Sequence, residues 1–288
     1  MDKKREEAIE KVHQGLYLVL GEIDRICTKY DIPYYLEGGS MLGAVRHKAI
    51  IPWDDDADIS MFRSDYERFR AVVRDELRPG FAFTEPGDWG EHFYDFIPHV
   101  IWLDSKMRAD TPEEQYNGEG ILNHMIADIF IVEDCADSDL RHKWTLMKLT
   151  LLYGLTMGHR YRVDYSEYKG VSGLAVRVLS KIGKRIPLKK LLAAHEKAGG
   201  SETGKNKERD RFYYSNYLFE DLHVILPGER IRKKIRVPFG ELELLIPEKY
   251  DEWLTAYFGD YMQFPPEDKR VQLHMDEPEN VYLTLPEN

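Results

Sequence analysis

The sequence predicts a mixed α/β fold of the α+β type, with a small mixed sheet flanked by helices and an added helical segment. Apolar residues recur at three- and four-residue steps over about residues 4–30, which is typical of an amphipathic helix. A second helical pattern covers about residues 136–198. Between them, runs rich in aromatic and β-branched residues predict strands at 34–36, 57–62, 81–83, 99–103 and 125–132.

The N-terminal part of the chain alternates helices and strands. The first helix ends at Asp31-Ile32-Pro33, and the strand that follows runs directly into a Gly38-Gly39 turn. Ser64 and Glu67 have the spacing of a capping box, which predicts that a helix begins there and ends before Pro79-Gly80. A short helix between these two regions carries Met41, Leu42, Val45 and Arg46.

The C-terminal part is predicted to be mainly helical before it returns to a hairpin. The composition shift near residue 135 suggests a core of residues 1–135 and a second part of residues 136–288. No linker separates them, so we expect the two parts to pack as one unit. The elements expected in the second part are helices at 140–158, 171–182 and 187–197, a polar loop at 199–210, a hairpin at 237–246 and a helix at 247–258.

Composition narrows the function classes. The formal net charge of -11 argues against a general nucleic-acid binder. Cys27 and Cys135 each lie alone in apolar surroundings, so neither a disulfide framework nor a cysteine zinc site is indicated. The charged N-terminus does not resemble a signal peptide, and no apolar run reaches the roughly 18 residues of a membrane span. We therefore expect a cytoplasmic protein.

A glycine turn and a dense group of acids form the candidate site. Gly38-Gly39-Ser40 precedes Asp54-Asp55-Asp56-Ala57-Asp58 by about one helix. Residues two apart on a strand point to the same face, so Asp56 and Asp58 are predicted to form a pair of metal-binding carboxylates. Asp128 interrupts an apolar strand, where an unpaired carboxylate is costly. We expect it to lie beside the pair and complete the set.

The glycines suit a phosphate group next to that metal. Without Cβ atoms, Gly38 and Gly39 let backbone amides approach a phosphate closely, and Ser40 adds a hydroxyl donor. Phosphoryl or nucleotidyl transfer uses this combination of phosphate donors and carboxylates. From the residues alone, two plainer readings stay open: a Gly-Gly pair that only makes a turn, and an acid run in a solvated loop.

The stretches Tyr35–Lys48 and Ile51–Ile59 resemble the signature of the LicD family of the nucleotidyltransferase-fold superfamily. The sequence departs from the family pattern at Glu37-Gly38-Gly39-Ser40, where the family more often has Asp-Gly-Gly-Thr; both changes preserve the chemistry. Residues 136–210 carry no recognisable motif. Further motifs similar to the family's occur at Ala127-Asp128-Ile129-Phe130, Tyr257–Met262 and Pro265–Arg270.

The resemblance implies a nucleotidyltransferase-like core and a transferase of phosphorylated alcohols. It implies transfer of phosphocholine from CDP-choline to a hydroxyl of a cell-surface glycan, teichoic acid or lipopolysaccharide, with release of CMP; other members use CDP-ribitol. Asp56 and Asp58 would hold Mg²⁺, or Mn²⁺ in its place, and Asp128 would be a third ligand or the base that takes the acceptor proton. Asp54 and Asp55 are not expected both to be ligands, because consecutive strand residues face opposite ways.

Basic residues near both ends of the resemblance are candidates for phosphate binding. Arg46, His47 and Lys48 would neutralise charge on the diphosphate as CMP leaves. Lys269 and Arg270 would contact a phosphate after Pro265-Pro266 directs the tail toward the core. The alternatives are a solvated basic turn for the first group and a surface charge pair for the second.

Histidines and aromatic residues give weaker signals. His274 is a minor candidate for the site, and the other histidines of interest share no metal-ligand spacing, so we interpret them as ordinary core or rim residues: His92, His99 and His124. A choline group would require aromatic faces. The available side chains, which in most proteins are core residues, are Trp89, Tyr94, Trp102 and Tyr116.

The stretch from Lys169 to Lys190 contains basic residues and no acid, on a predicted helix with an apolar face. In a chain of net charge -11, this stretch could lie on an anionic membrane surface, at the inner face of the membrane, or bind an anionic glycolipid acceptor. The alternative is a helix that packs on the core and exposes a solvated basic face.

Two other function classes remain open. A nucleotidyltransferase that moves a nucleotide from a nucleoside triphosphate would use the same turn and acids but release diphosphate. A non-catalytic nucleotide- or glycan-binding module would not need three acids that converge on a metal.

Overall fold

A mixed sheet forms the centre of the structure. The computed structural model describes residues 3–163, 165, 170–205, 209–217 and 221–286. The strands are β1 (Tyr35–Leu36), β2 (Asp58–Phe62), β3 (Phe81–Thr84), β4 (His99–Trp102), β5 (Ser105–Lys106), β6 (Met125–Asp134), β7 (Arg211–Tyr214), β8 (Leu226–Pro227), β9 (Lys234–Phe239), β10 (Leu242–Pro247) and β11 (Tyr282–Leu283). The α-helices are α1 (Lys3–Lys29), α2 (Gly38–Arg46), α3 (Arg63–Glu76), α4 (Pro112–Tyr116), α5 (Asp139–Thr156), α6 (Gly170–Gly183), α7 (Leu188–Gly199), α8 (Gly228–Ile231) and α9 (Tyr250–Phe258).

Strand β6 is central to the sheet. Within the described residues the order is β1-β2-β6-β4-β3, and β7 and β8 extend the sheet from β6. Strand β2 runs parallel to β6, whereas β4 and β7 pair with β6 in the antiparallel direction. Asp128 is in register with Asp58 of β2 on one side and with His99 of β4 on the other. Asp128, the one acid of the apolar run 125–132, therefore lies where β2, β6 and β4 meet.

Helix α1 packs on the sheet through its apolar face. Its side chains at three- and four-residue spacing have no exposed surface at Val12, Leu16, Val19 and Ile23. Each such burial contributes about 1.5–3 kcal/mol. The helix contacts β4 and β6, and the chain turns after it at Asp31, where φ is +51.

The helical segment joins the sheet through a second apolar cluster. Helix α5 contacts both α6 and α7. Leu149 of α5 packs with Cys135, Tyr213 and Leu222, which connects the helices to the end of β6 and to β7. The thiols of Cys27 and Cys135 are buried, and neither forms a disulfide, in agreement with the sequence. The sheet thus contains strands from both sides of residue 135, and the boundary there stays a prediction.

The predicted fold class is confirmed, and so are the helix over 4–30, the strands and the hairpin. The predicted capping box is wrong. Helix α3 begins at Arg63, with Phe62 at the capping position and no side-chain hydrogen bond there. Arg63 instead donates to the buried carboxylate of Glu133 at 2.9 Å and to Glu67 at 3.0 Å, so Glu67 is engaged by a side chain rather than by the helix end.

One more boundary differs from the prediction. The last long helix begins at Tyr250, because β10 continues to Pro247. Lys169 of the basic stretch and residues 206–208 of the predicted polar loop lie outside the described residues. None of the described helices combines the length and the apolar content that a membrane crossing requires. The elements that the sequence did not predict are short: α4, α8, β5, β7, β8 and β11.

Candidate active site

Two aspartates on neighbouring strands form the centre of the candidate site. Asp58 is the first residue of β2 and is in register with Asp128 on the parallel strand β6. Neighbouring strands lie about 4.8 Å apart, and residues in register point to the same face. The two carboxylates therefore share one face, which confirms the prediction that Asp128 lies beside Asp58.

Asp54 and Asp56 enlarge this pair to a group of four carboxylates. Strand β2 begins at Asp58, so Asp56 lies in the preceding loop, and the prediction that both lie on one strand is wrong. The loop still brings Asp56 close enough to hydrogen-bond Asp54 and to act on Asp58 through its charge. Burial, and then the charge of Asp56, raises the pKa of Asp54 to about 9 and that of Asp58 well above its usual range.

The donor set suits a hard divalent cation. Mg²⁺ prefers carboxylate oxygens, and a cation beside Asp58 would offset the cost of burying several like charges together. Among the described residues, no three His, Cys, Asp or Glu side chains are arranged as a preformed metal site. The chemistry of the donors therefore fits such an ion.

His99 is an unexpected member of the site. It is buried, as predicted, but its Nδ1 lies 2.8 Å from Oδ1 of Asp128 and its Nε2 lies 3.6 Å from Asp95. Burial would lower the pKa of His99, but the charges of Asp128 and Asp95 raise it to about 10. His99 is thus a core residue, as predicted, that also contacts Asp128 of the candidate site. His92 and His124 also match that prediction, since one stacks on an aromatic ring and the other contacts a backbone carbonyl.

A hydrogen bond joins the glycine turn to the first residue of β2. Helix α2 begins at Gly38, whose φ of +49 favours glycine, and a Cβ on Gly39 would lie 2.8 Å from Oδ2 of Asp54. The hydroxyl of Ser40 accepts a hydrogen bond of 3.0 Å from the amide of Asp58. The first amides of α2, which have no partners within the helix, thus lie next to the carboxylates.

Glu37 holds this turn in place from inside the sheet. It is fully buried, and it accepts hydrogen bonds from the Gly38 amide at 3.1 Å, from the Ser60 hydroxyl at 2.6 Å and from the Tyr214 hydroxyl. Burial raises the pKa of Glu37, although these hydrogen bonds act in the opposite direction. Its role in this structure is to fix the start of α2 against β2 and β7.

Asp55 points to the C-terminal tail instead of the acid group. Its carboxylate accepts hydrogen bonds from the amides of Leu273, His274 and Met275 at 3.0, 2.8 and 2.6 Å. Nδ1 of His274 also lies 3.2 Å from Asp55 and 3.8 Å from Asp56. Burial alone would raise the pKa of Asp55, but the hydrogen bonds from His274 and from the three amides lower it. Asp55 therefore connects the tail to the site.

The predicted basic residues divide into two groups. Arg46 donates to the carbonyls of Tyr261 and Gln263, at 2.9 and 3.1 Å, and its guanidinium lies 5.9 Å from the ring of Trp53. Arg270 lies 5.1 Å from the same ring. The structure thus brings Arg46 and Arg270 together.

The other predicted basic residues occupy different surroundings. His47 lies next to Trp53, at 5.9 Å between ring centroids. Lys48 is exposed in a turn with φ of +55, and its carbonyl accepts from the Gly240 amide. Lys269 is exposed at the end of a short 3-10 helix. Phosphate binding by these residues stays a prediction.

A cavity of about 240 Å³ lies beside the carboxylates. Asp56, Asp128 and His99 line it together with two arginines that sequence reasoning missed, Arg108 and Arg160. These arginines lie in stretches with no motif, so no local signal identifies them.

The aromatic candidates are spread over the structure. Tyr94 lines the cavity. Trp102 is 2% exposed and packs on Phe81, so it is a core residue. Trp89 packs near Gly118, and Tyr116 stacks on a histidine ring. Of these four aromatic residues, Tyr94 is therefore the one that lies at the candidate site.

The Asp55 contacts predict that this residue holds the tail. Replacement of Asp55 by asparagine removes the charge that three amides share, and hydrogen bonds to charged groups contribute about 1.5–3 kcal/mol. We expect amide hydrogen exchange at Leu273, His274 and Met275 to become about 10- to 100-fold faster. The matched control is Asp104→Asn, at an exposed aspartate. Unchanged exchange at the three amides would contradict this role for Asp55.

Comparison with known proteins supports the resemblance described above. Residues 31–95 match the family model described as LicD/FKTN/FKRP, nucleotidyltransferase domain. This segment includes the glycine turn, the carboxylate loop and β2.

Three relatives extend or repeat this match. The chain is 26% identical over 271 residues to the lipopolysaccharide cholinephosphotransferase LicD of Haemophilus influenzae, which covers 90% of this chain and 93% of the relative. It is 56% identical over 108 residues to the human ribitol 5-phosphate transferase FKRP, covering 28% of this chain and 21% of the relative. An uncharacterized protein of Rickettsia typhi is 40% identical over 70 residues, covering 24% of this chain and 23% of the relative. The chain thus matches the LicD/FKTN/FKRP nucleotidyltransferase domain over residues 31–95 and is similar over most of its length to a LicD cholinephosphotransferase.

Proposed function

We propose that this protein transfers a phosphorylated alcohol, with phosphocholine as the leading candidate, from a CDP-activated donor to a hydroxyl of a cell-surface glycan. The observation that carries the proposal is the pairing of Asp58 with Asp128 beside a glycine turn at the start of α2. The similarity to LicD and FKRP proteins, whose names describe transfer of choline phosphate and ribitol 5-phosphate, supports the class of reaction. CMP is the second product of the proposed reaction.

The proposed chemistry is a displacement at phosphorus. The acceptor hydroxyl oxygen forms a bond to the phosphorus atom that carries the alcohol. The bond from that phosphorus to the CMP oxygen breaks, and CMP leaves with the electron pair. Asp128 takes the hydroxyl proton, and its contact with His99 fixes the orientation of its carboxyl group.

A divalent cation belongs to this proposal. Asp56 and Asp58, with Asp128 or Asp54, would hold Mg²⁺ or Mn²⁺, which when bound neutralises charge on the phosphates. The amides at the start of α2 would bind phosphate oxygens, because helix N-termini favour anions. Arg46 and Arg270 would contribute positive charge at the other end of α2.

Replacing the central acids tests their role. In Asp56→Asn and Asp58→Asn, we expect CMP release from CDP-choline or another CDP-alcohol to fall by about 100-fold or more, because each change removes charge from the reacting centre. The measurement is chromatography of CMP and mass spectrometry of a glycan acceptor after incubation with a panel of CDP-alcohols. Asp104→Asn is the control and should retain activity. Full CMP release by both site variants would contradict the assignment.

The same assay separates the alternatives. A nucleotidyltransferase would consume a nucleoside triphosphate and release diphosphate, so triphosphates belong in the donor panel. A non-catalytic binding module would leave every donor intact. Only transfer of the alcohol phosphate with release of CMP agrees with the proposed function.

We also propose that helices α5 and α6 contact an anionic membrane. Helix α5 exposes apolar side chains spaced by three and four residues, and α6 exposes a similar row: Leu140, Trp144, Met147 and Leu151, and Leu174, Val178 and Ile182. Trp144 is 53% exposed, which suits a membrane interface. Basic side chains are exposed on the same two helices and just beyond α6: Lys143, Lys148, Arg177, Lys181, Lys184 and Arg185. Apolar rows with basic neighbours match the chemistry of an anionic lipid surface.

Charge reversal tests this surface. Each basic residue near an anionic membrane contributes about 1 kcal/mol, so the combined variant Lys181→Glu, Lys184→Glu and Arg185→Glu should bind vesicles at least about 10-fold more weakly. The measurement is cosedimentation with vesicles that contain phosphatidylserine, compared with neutral vesicles. Lys233→Glu, at an exposed lysine of the hairpin region, is the control. Equal binding of the wild type to both vesicle types would contradict the proposal that this surface binds an anionic membrane.

A further inference from the structure

The cavity beside the carboxylates is also lined by cationic side chains. Arg108 follows β5, and Arg160 follows the turn that ends α5, so the two come from distant parts of the chain. Tyr94 also lines the cavity and accepts a hydrogen bond from Arg108. The cavity therefore has acidic and basic walls.

The residue that precedes each arginine is held in place by hydrogen bonds. The residue before Arg108 is fixed by two main-chain hydrogen bonds, from the Met107 amide to Asn123 at 2.8 Å and from the Asp276 amide to Met107 at 3.0 Å. The residue before Arg160 is His159, whose ring lies 3.0 Å from the Ile186 carbonyl and 3.1 Å from that of Gly183. Their location at the cavity is therefore set by the fold.

The guanidinium groups have few acidic partners. Arg108 lies 3.6 Å from Glu114 and has a side chain that is 17% exposed. Arg160 lies 5.9 Å from the ring of Phe93, and no ion pair joins it to a carboxylate within the described part of the chain. In the same part of the chain, Nε of each arginine is buried and has no hydrogen-bond partner. Buried N–H groups are costly unless they are bonded, so they point to a missing acceptor.

The surroundings make such an acceptor an anion. Guanidinium groups bind phosphate oxygens through paired N–H donors. The cavity also contains Asp55, Asp56, Asp95 and Asp128, which would repel an anion in the absence of nearby cations. Arg108 pairs with Glu114 at 3.6 Å, but Arg160 forms no ion pair within the described residues, so it supplies positive charge that can offset this repulsion in a chain whose net charge is -11.

We propose that Arg108 and Arg160 form a phosphate-binding site within this cavity. The inference deepens the proposed function and rests on it for the identity of the phosphate. That phosphate belongs either to the diphosphate of the CDP-activated donor or to a phosphorylated acceptor. Both sources present the same tetrahedral anion to the two guanidinium groups.

Binding measurements with defined probes test the site. Calorimetry with inorganic phosphate, diphosphate, CDP-choline and glucose 6-phosphate should show at least 10-fold weaker binding in Arg108→Gln and Arg160→Gln than in the wild type. For Arg160→Lys, which keeps the charge but not the paired donors, we expect an affinity between that of the wild type and those of the glutamine variants. Arg162→Gln, at an exposed arginine two residues along the chain, is the matched control.

The probes distinguish the two sources. Weaker binding of CDP-choline with unchanged binding of glucose 6-phosphate assigns the site to the donor, and the reverse assigns it to the acceptor. If none of the four probes binds the wild type, or if the two glutamine variants bind as Arg162→Gln does, the site is disproved.

A second measurement needs no variant. Phenylglyoxal modifies accessible arginines, and phosphate should protect Arg108 and Arg160 but not Arg162 when the modified peptides are identified by mass spectrometry. Equal modification with and without phosphate would overturn the proposal. Because neither experiment requires turnover, phosphate binding at these arginines without any transfer would refute the proposed function and leave this site in place.

Discussion

The candidate site depends on the in-register pairing of Asp58 and Asp128 on two parallel strands. Like charges placed directly opposite each other destabilise a sheet. The apolar residues that follow on both strands, including Ile59, Met61 and Ile129, have no exposed surface, and burying each contributes about 1.5–3 kcal/mol. The core therefore holds together an acid pair that would separate in a less constrained fold. Such locally unfavourable arrangements are typical of functional sites.

Separate contacts from distant parts of the chain hold the loop around this pair. Glu37 accepts from Ser60 of β2, and His99 bonds Asp128. His13 of α1 lies 2.8 Å from the carbonyl of Asp54, while Asp55 binds amides 218 to 220 residues away. The consecutive acids thus have different roles. Asp55 anchors the tail, whereas Asp54 and Asp56 belong to the group of carboxylates at the site. These contacts hold the C-terminal tail, which also contains Arg270, next to the N-terminal motif.

The sequence predicts those features that leave a local signal. The periodicity of α1 is set by burial of one face, and Asp128 could be placed beside Asp58 because an unpaired charge in the apolar run 125–132 is costly. The role of His99 depends on the register between β4 and β6, which no spacing reveals. The partners of Asp55 and the location of Arg160 at the cavity result from tertiary packing. The same is true of Arg63, whose contact with buried Glu133 places the start of α3 one residue before the predicted cap.

The central proposal is that carboxylates from β2 and β6 bind a divalent cation together. Electron paramagnetic resonance of Mn²⁺ measures this directly, because the sharp spectrum of the free aqueous ion is lost on binding. The account predicts a bound ion in the wild type, and strongly weakened binding in Asp58→Asn and in Asp128→Asn, which alter different strands. Mn²⁺ that stays free in the presence of the wild type, or binding that both variants retain in full, would contradict it.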